Sequence, residues 1–281
     1  MASNTPIETV IRPIKGWQLL NFSELFRYRD LFYFMVVRDI KVLYKQTVLG
    51  FLWAVLNPFF SMVVFTVVFG NLAGVPSDGV PYAIFSFAGL LPWTYFAQSM
   101  QNSTNSLVQA RNIFTKVYFP RLLIPMTPVI AKLVDFLIAF AMLGAMMIYY
   151  KVTPTWDALY LPVLIIIMIL SAAGIGMILS AMAVQYRDIR FAMTFLTQLL
   201  MYAAPVVWPA SLIEEKFGSL AYRLYGLYPP AGVIEGFRAA LIGTRPMPWE
   251  LLMFSSISAV ALFIIGALYF RRMERVFADV A

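Results

Sequence analysis

Leu159-Tyr-Leu-Pro-Val-Leu-Ile-Ile-Ile-Met-Ile-Leu-Ser-Ala-Ala-Gly-Ile-Gly-Met-Ile-Leu-Ser-Ala-Met-Ala-Val184 carries no charged side chain. A helix rises 1.5 Å per residue, so ~20 apolar residues cross the ~30 Å hydrocarbon core of a bilayer. This stretch meets that length and reads as a membrane span. Working outward from it, five further stretches read the same way. They are Val48–Gly70, interrupted by Asn57-Pro58; Tyr82–Gln101, with Pro92-Trp93 inside; Leu122–Tyr150, long enough to tilt; Phe191–Trp208; and Leu251–Phe270. Barrel strands alternate polar and apolar residues over ~10 positions, and these runs do not. The expected fold is an all-α polytopic membrane protein with six transmembrane helices.

Composition agrees. The 281 residues are 61% hydrophobic and 12% charged, with a mean hydropathy of +0.78. Soluble domains are nearer ~45–50% apolar and ~25% charged. The six spans leave no room for a sizeable soluble domain. The chain has no histidine and no cysteine, which excludes Ser-His-Asp and Cys-His catalysis, the usual zinc sites and iron–sulfur clusters. Enzyme activity is not expected of it. It has no P-loop string either, so any nucleotide-driven work needs a second protein. The formal charge of +7 sits beside apolar spans, where it sets orientation; nucleic acid is not an expected partner. Met1–Gly16 has no apolar core of the signal-peptide kind, so cleavage there is not expected.

Orientation follows from the connections. Most of the 21 basic residues fall on one side: the N-terminal segment, the loop with Arg111, Lys116 and Arg121, the loop with Arg187 and Arg190, and the C-terminal Arg271, Arg272 and Arg275. The opposite side receives Lys151, Lys216, Arg223, Arg238 and Arg245. Both termini are therefore expected in the cytoplasm. Residues 1–22 read as a polar tail, 23–46 as an amphipathic helix at the membrane interface, and 47–281 as the transmembrane domain. In the helix, Ser23 suits an N-cap and Glu24 the positive helix end. Leu25, Phe32, Met35, Val36, Ile40 and Leu43 share one face, with Arg38, Lys41 and Lys45 largely elsewhere. Simple anchoring explains that helix equally well. Between spans five and six, residues 210–217 and 231–242 form two apolar-periodic pieces too short to cross, expected as short re-entrant external helices. The second starts after Tyr228-Pro229-Pro230 and stops at Gly243.

Several residues invite a chemical reading. Lys132 and Asp135 lie three apart on one face of the third span, with Lys132 ~15 Å in, near mid-bilayer. Charges there must face protein or water and pair; a neutralised structural pair is favoured slightly over a polar patch on a transport path. Arg187-Asp188-Ile189-Arg190 reads as a plain positive-inside hairpin, the alternatives being a partner or headgroup contact. Ala172, Gly176 and Ser180, with Gly174 beside them, make a ridge of small residues for close helix packing, within the chain or between copies. Phe59, Phe60, Trp93, Tyr95 and Phe96 are candidates for an aromatic path along which sugar rings could slide. Glu214-Glu215 is the one adjacent acidic pair, and reads as solvated.

The loop between spans two and three is the most specific feature. Asn112-Ile-Phe-Thr-Lys-Val-Tyr-Phe-Pro-Arg121 closely resembles the coupling-helix segment of ABC-2 type permeases that export O-antigen, capsule and teichoic acid polysaccharides. Arg38-Asp39-Ile-Lys41-Val-Leu-Tyr44-Lys45-Gln-Thr-Val-Leu-Gly50-Phe-Leu-Trp53 resembles that family's interface helix entering its first span. Tyr186-Arg187-Asp188-Ile189-Arg190, Ala204-Pro205-Val206, and Tyr228-Pro229-Pro230 through Arg238 fall where the family has similar strings, although relatives commonly carry Asn-Pro at the last.

The resemblance implies a homodimer of this subunit in the cytoplasmic (inner) membrane, paired with two cytosolic ABC ATPases. ATP and Mg would sit on those partners, and no cofactor on this chain. Residues about 109–118 would be the coupling helix, with Arg111, Asn112, Phe114, Thr115, Lys116 and Tyr118 at the ATPase. Arg38, Lys41, Tyr44 and Lys45 would belong to the interface helix among membrane lipids, and the external pieces would gate a lipid-linked polysaccharide moved outward reducing end first. An ABC-2 exporter of a small molecule or lipid, and an ion-coupled carrier, are the alternatives. Residue types fit the coupling role: Phe114, Val117 and Tyr118 can be buried, Lys116 can orient, and Pro120 stops the helix.

Overall fold

The computed structural model describes residues 26–45, 50–110, 119–243 and 245–274. Helices make up its regular structure, with no strand among the described residues. They are α1, Arg29–Tyr44; α2, Leu52–Phe65, running on as a π-helical segment Thr66–Leu72; α3, Tyr82–Gln109; α4, Leu123–Tyr150; α5, Leu161–Gln185, after a 3-10 turn at Trp156–Tyr160; α6, Asp188–Ala203; α7, Ser211–Tyr225; α8, Pro229–Leu241; and α9, Trp249–Glu274.

Among the described residues, four helical stretches are long and apolar enough to cross a membrane: Leu52–Leu72, Leu123–Tyr150, Trp156–Gln185 and Trp249–Glu274. The chain is thus a polytopic helical membrane protein. The other two expected spans differ from the expectation in instructive ways. α3 is 28 residues long and runs on to Gln109, well past Gln101. Its second half is polar, with Gln98, Gln101, Asn102 and Asn105. One side of it packs on protein, where Ser103 and Thr104 are fully buried and the Ser103 hydroxyl donates to the Pro125 carbonyl of α4 at 2.8 Å, while Asn102 and Gln109 are exposed. α6 starts at Asp188 and stops at Ala203, short of the expected Trp208. Ala204 is extended (φ −79°, ψ 146°) because Pro205 follows it, and the ring of a proline clashes with a helical residue before it.

α3 is the hub. It packs against α4 along one side and α5 along another, with α2, α6 and α8 also on it, and α9 lies along α5. The small-residue ridge works inside this single chain. Ala172 and Ser180 are fully buried, and a Cβ on Gly176 would stand 2.4 Å from Ser103 Oγ of α3. Beside it, a Cβ on Gly174 would meet the Leu262 carbonyl oxygen of α9 at 2.6 Å, and one on Gly266 would meet the Gly174 oxygen at 2.3 Å. Backbones touch there, which only glycine permits.

α1 packs on α4. Met35 is buried, Phe32, Val36 and Ile40 are partly covered, and Leu43 is exposed along with Lys41 and Lys45. α2 is the least enclosed of the four spans, and its outward side carries Trp53, Phe60, Val64 and Val67. The first short piece between α6 and α9 extends beyond the expected 210–217. α7 reaches Tyr225 through a break at Gly218, whose φ of 85° and ψ of 173° suit a residue without a Cβ. The second matches closely: α8 opens with Pro229 at its first position and gives way to Gly243 at φ 70°. Tyr228 makes no capping bond there; its hydroxyl donates to the Leu200 carbonyl of α6 at 3.0 Å.

Candidate functional site

Two buried polar clusters hold the bundle. The first joins α1 to α4. Lys132 Nζ donates to Asp135 Oδ2 at 2.7 Å, one helical turn apart as the spacing predicts. The other carboxylate oxygen, Oδ1, accepts from the hydroxyl of Tyr44, the last residue of α1. Burial first, then the hydrogen bond to Asp135 and its charge, raise the Tyr44 phenol above its ordinary value, so it stays protonated and donates. A cavity of about 20 Å³ lies alongside, lined by Trp53, Ala54 and Pro58 of α2, Gln98 and Tyr95 of α3, and the Lys132–Asp135 pair. It has room for about one water molecule and no more.

The second cluster centres on α8. Arg238 is 2% exposed and donates from Nη1 to Glu235 Oε1 at 2.9 Å. Its Nη2 donates to the Val206 carbonyl at 2.7 Å and its Nε to the Phe85 carbonyl at 3.3 Å, and the guanidinium lies 3.6 Å over the Phe85 ring. Glu235 Oε1 also accepts from the Ala210 amide at 3.1 Å. Burial pushes Glu235 up and Arg238 down, while each partner's charge opposes the shift. Gly89 makes the space, since a Cβ there would stand 2.6 Å from Arg238 Nη2. One arginine thus binds α8, the first turn of α3 and the Ala204–Val207 turn into a unit. Close by, the Tyr82 hydroxyl donates to the Val207 carbonyl at 2.6 Å. The charge count placed Arg238 in the connection between spans five and six without foreseeing that it is enclosed and paired. The Glu235 and Arg238 spacing of three in a short helix was the signal that could have found it.

The coupling residues Arg111, Asn112, Phe114, Thr115, Lys116 and Tyr118 lie outside the described residues. Both flanks of that segment are described and anchored. Ala110 and Phe119 are buried in one apolar cluster with Met35 of α1, Leu107 of α3, Leu122 and Ile124, Met177 and Ala181 of α5, and Ala267 and Phe270 of α9. Arg121 Nη1 donates to the Glu274 carbonyl at 3.0 Å, at the end of α9. Of the interface residues, Arg38 pairs with its neighbour Asp39 at 2.8 Å, Lys41 and Lys45 are exposed, and Tyr44 belongs to the first cluster.

The five path candidates separate. Trp93, Tyr95 and Phe96 are enclosed within the chain, and Tyr95 donates to the Val129 carbonyl at 2.9 Å. Phe60 is exposed on α2, and Phe59, partly covered, meets it edge to face. Helical periodicity could not make this division, because aromatics occur on every side of these helices. The Arg187–Arg190 string becomes a tight joint, with Asp188 in the first turn of α6. Glu214 and Glu215 are exposed.

The fold and these clusters define a polytopic helical membrane protein whose buried charges, among the described residues, bind helices to one another. The chain belongs to the ABC-2 type transporter family, whose profile matches residues 30–242, from α1 through α8. It is similar to the O-antigen export system permease protein RfbA of Myxococcus xanthus, 29% identical over 253 residues that cover 89% of this chain and 95% of that one. A protein of the same name from Klebsiella pneumoniae is 28% identical over the same shares. The polysialic acid transport protein KpsM of Escherichia coli is 24% identical over 249 residues, covering 85% and 92%.

Proposed function

We propose that this chain is the membrane subunit of an ABC transporter that exports a lipid-linked cell-surface polysaccharide across the cytoplasmic membrane. The observation that carries this reading is similarity along nearly the whole length to permeases named for two different polysaccharides, together with the coupling-type string at Asn112–Arg121. In this reading α3 and α6 also cross the bilayer, making six spans with both termini cytoplasmic. Two copies pair with two ATPase subunits that bind ATP and Mg.

The physics supports it. A hydrated sugar chain cannot cross hydrocarbon without a lined route. The enclosure of Trp93, Tyr95 and Phe96 contracts the candidate route to Phe59 and Phe60 on the open side of α2. An ion-coupled carrier would need a carboxylate able to exchange its partner. Asp135, the deep carboxylate of α4, already has both oxygens engaged by Lys132 and Tyr44.

The test is reconstitution with the partner ATPase. Phe114→Ala and Lys116→Glu should each lower export by about tenfold while ATP hydrolysis continues and the permease stays folded. The permease alone should neither bind nor hydrolyse ATP. Full export by both variants would remove the coupling role, and nucleotide binding by the isolated chain would overturn the division of labour.

A further inference from the structure

α1 touches the rest of the chain at two kinds of contact that differ in chemistry. Near its middle, Met35 sits in the apolar cluster that also holds Ala110 and Phe119, the residues bounding positions 111–118. At its end, the Tyr44 hydroxyl reaches the carboxylate that Lys132 already neutralises. Between these contacts α1 spans nine residues, or ~13 Å, while α4 advances from Ile124 to Asp135, ~16 Å. The two helices therefore run side by side, held near the middle of α1 and at its C-terminal end. Its outward residues Tyr33, Phe34 and Val42 are exposed.

A Lys–Asp pair is already neutral without a third partner, and apolar packing would hold a helix end in place at lower desolvation cost. The phenol adds direction. It fixes one atom of α1 to one atom of α4, at a point bordered by the small cavity that α2 and α3 also line.

We propose that Tyr44, with Asp135 and Lys132, is a positioning residue for transport: it makes α1 a rigid link that carries displacement of the 111–118 flanks to the middle of α4. This rests on the transporter reading above. Removing the Tyr44 oxygen would leave the ring in place but delete the bond that ties this end of α1 to Asp135. Movement at Met35 would then be taken up by slip of α1 along α4.

The native sequence has no cysteine, so a spin label placed through Leu137→Cys is unique in each copy. Leu137 is exposed, two residues beyond Asp135 on α4. The complete complex with its ATPase would be reconstituted in lipid nanodiscs, and the label-to-label distance between the two copies measured by pulsed EPR, nucleotide-free and trapped with ADP–vanadate. The distance is expected to shift on trapping in the parent. The shift is expected to be lost in Tyr44→Phe and equally lost in Lys132→Met/Asp135→Leu, which removes the carboxylate and its counter-charge together. Combining all three substitutions should add nothing further, because all act through one link. Both variants should retain vanadate-sensitive ATP hydrolysis, and Tyr44→Phe should stay folded with a melting temperature lowered only by the loss of one hydrogen bond. A shift that survives in full in both variants overturns the link. So does a Tyr44→Phe protein that is thermally weakened yet still shifts, since Tyr44 would then be a structural clasp only. A complex that binds no ATPase and hydrolyses no ATP overturns the transporter reading itself, a result separate from either of these.

Discussion

Arg238→Ala is expected to abolish recovery of folded protein from the membrane. Truncation removes the cation and leaves Glu235 enclosed with only the Ala210 amide to stabilise its charge. Breaking a buried pair by deleting one partner costs about 3–5 kcal/mol. The Val206 and Phe85 carbonyls lose a donor as well, at about 1–3 kcal/mol for each one left unsatisfied. Against a typical total of about 5–15 kcal/mol, this is most of the stability of the chain. The side chain also joins three segments far apart in sequence, so its loss separates α8 from α3 and from the Ala204–Val207 turn together. Fluorescence-detected size exclusion after stepwise heating in detergent reads the result. Glu235→Leu/Arg238→Met removes both charges and should unfold at a clearly higher temperature than Arg238→Ala. An Arg238→Ala protein with the parent's melting behaviour would show that the cluster has no structural role.

Gly266→Leu should be nearly as damaging, for a different reason. The atom that a Cβ at 266 would strike is the backbone oxygen of Gly174, 2.3 Å away, and a Cβ at 174 would strike backbone atoms of Leu262 and Phe263 in return. No side chain can swing aside, so α5 and α9 must part along their whole contact. Overpacking a core with side chains that can adjust already costs about 1–3 kcal/mol, and a backbone clash should exceed that range. Gly266→Ala should fall between Gly266→Leu and the parent. Gly144 of α4 is the internal control, because a Cβ there meets nothing within 4 Å. Gly144→Ala should stabilise by about 0.5–1 kcal/mol through backbone entropy. The same heating assay ranks all four proteins. Equal melting of Gly266→Leu and Gly144→Ala would refute the close approach of α5 and α9.

Much of the architecture could be read before any coordinates, and the exceptions have physical causes. Leu122–Tyr150, Leu159–Val184 and Leu251–Phe270 were legible because unbroken apolar length has few other uses. The early end of α6 was written in Pro205, but the apolar residues after it concealed the break. The polar half of α3 escaped because hydropathy assumes lipid around a span, and one side of α3 packs on protein there. Lys132 and Asp135 were found as a pair by spacing alone. Their third partner, Tyr44, was not, since 91 residues of chain separate it from Asp135. Arg238 was missed because counting charges between spans treats every such arginine as wet. The ridge at Ala172, Gly176 and Ser180 announced close packing without saying that Ser103 would be opposite.

The enclosure of α3 also bears on how the protein is made. Several of the walls that shelter it, α4, α5 and α8, come later in the chain. A ribosome delivers α3 with Ser103 and Thr104, fully buried in the finished fold, still uncovered before any of those helices exists. Its settled position is therefore earned by its successors, and assembly must proceed partly backwards, with each newly added segment closing over one already waiting.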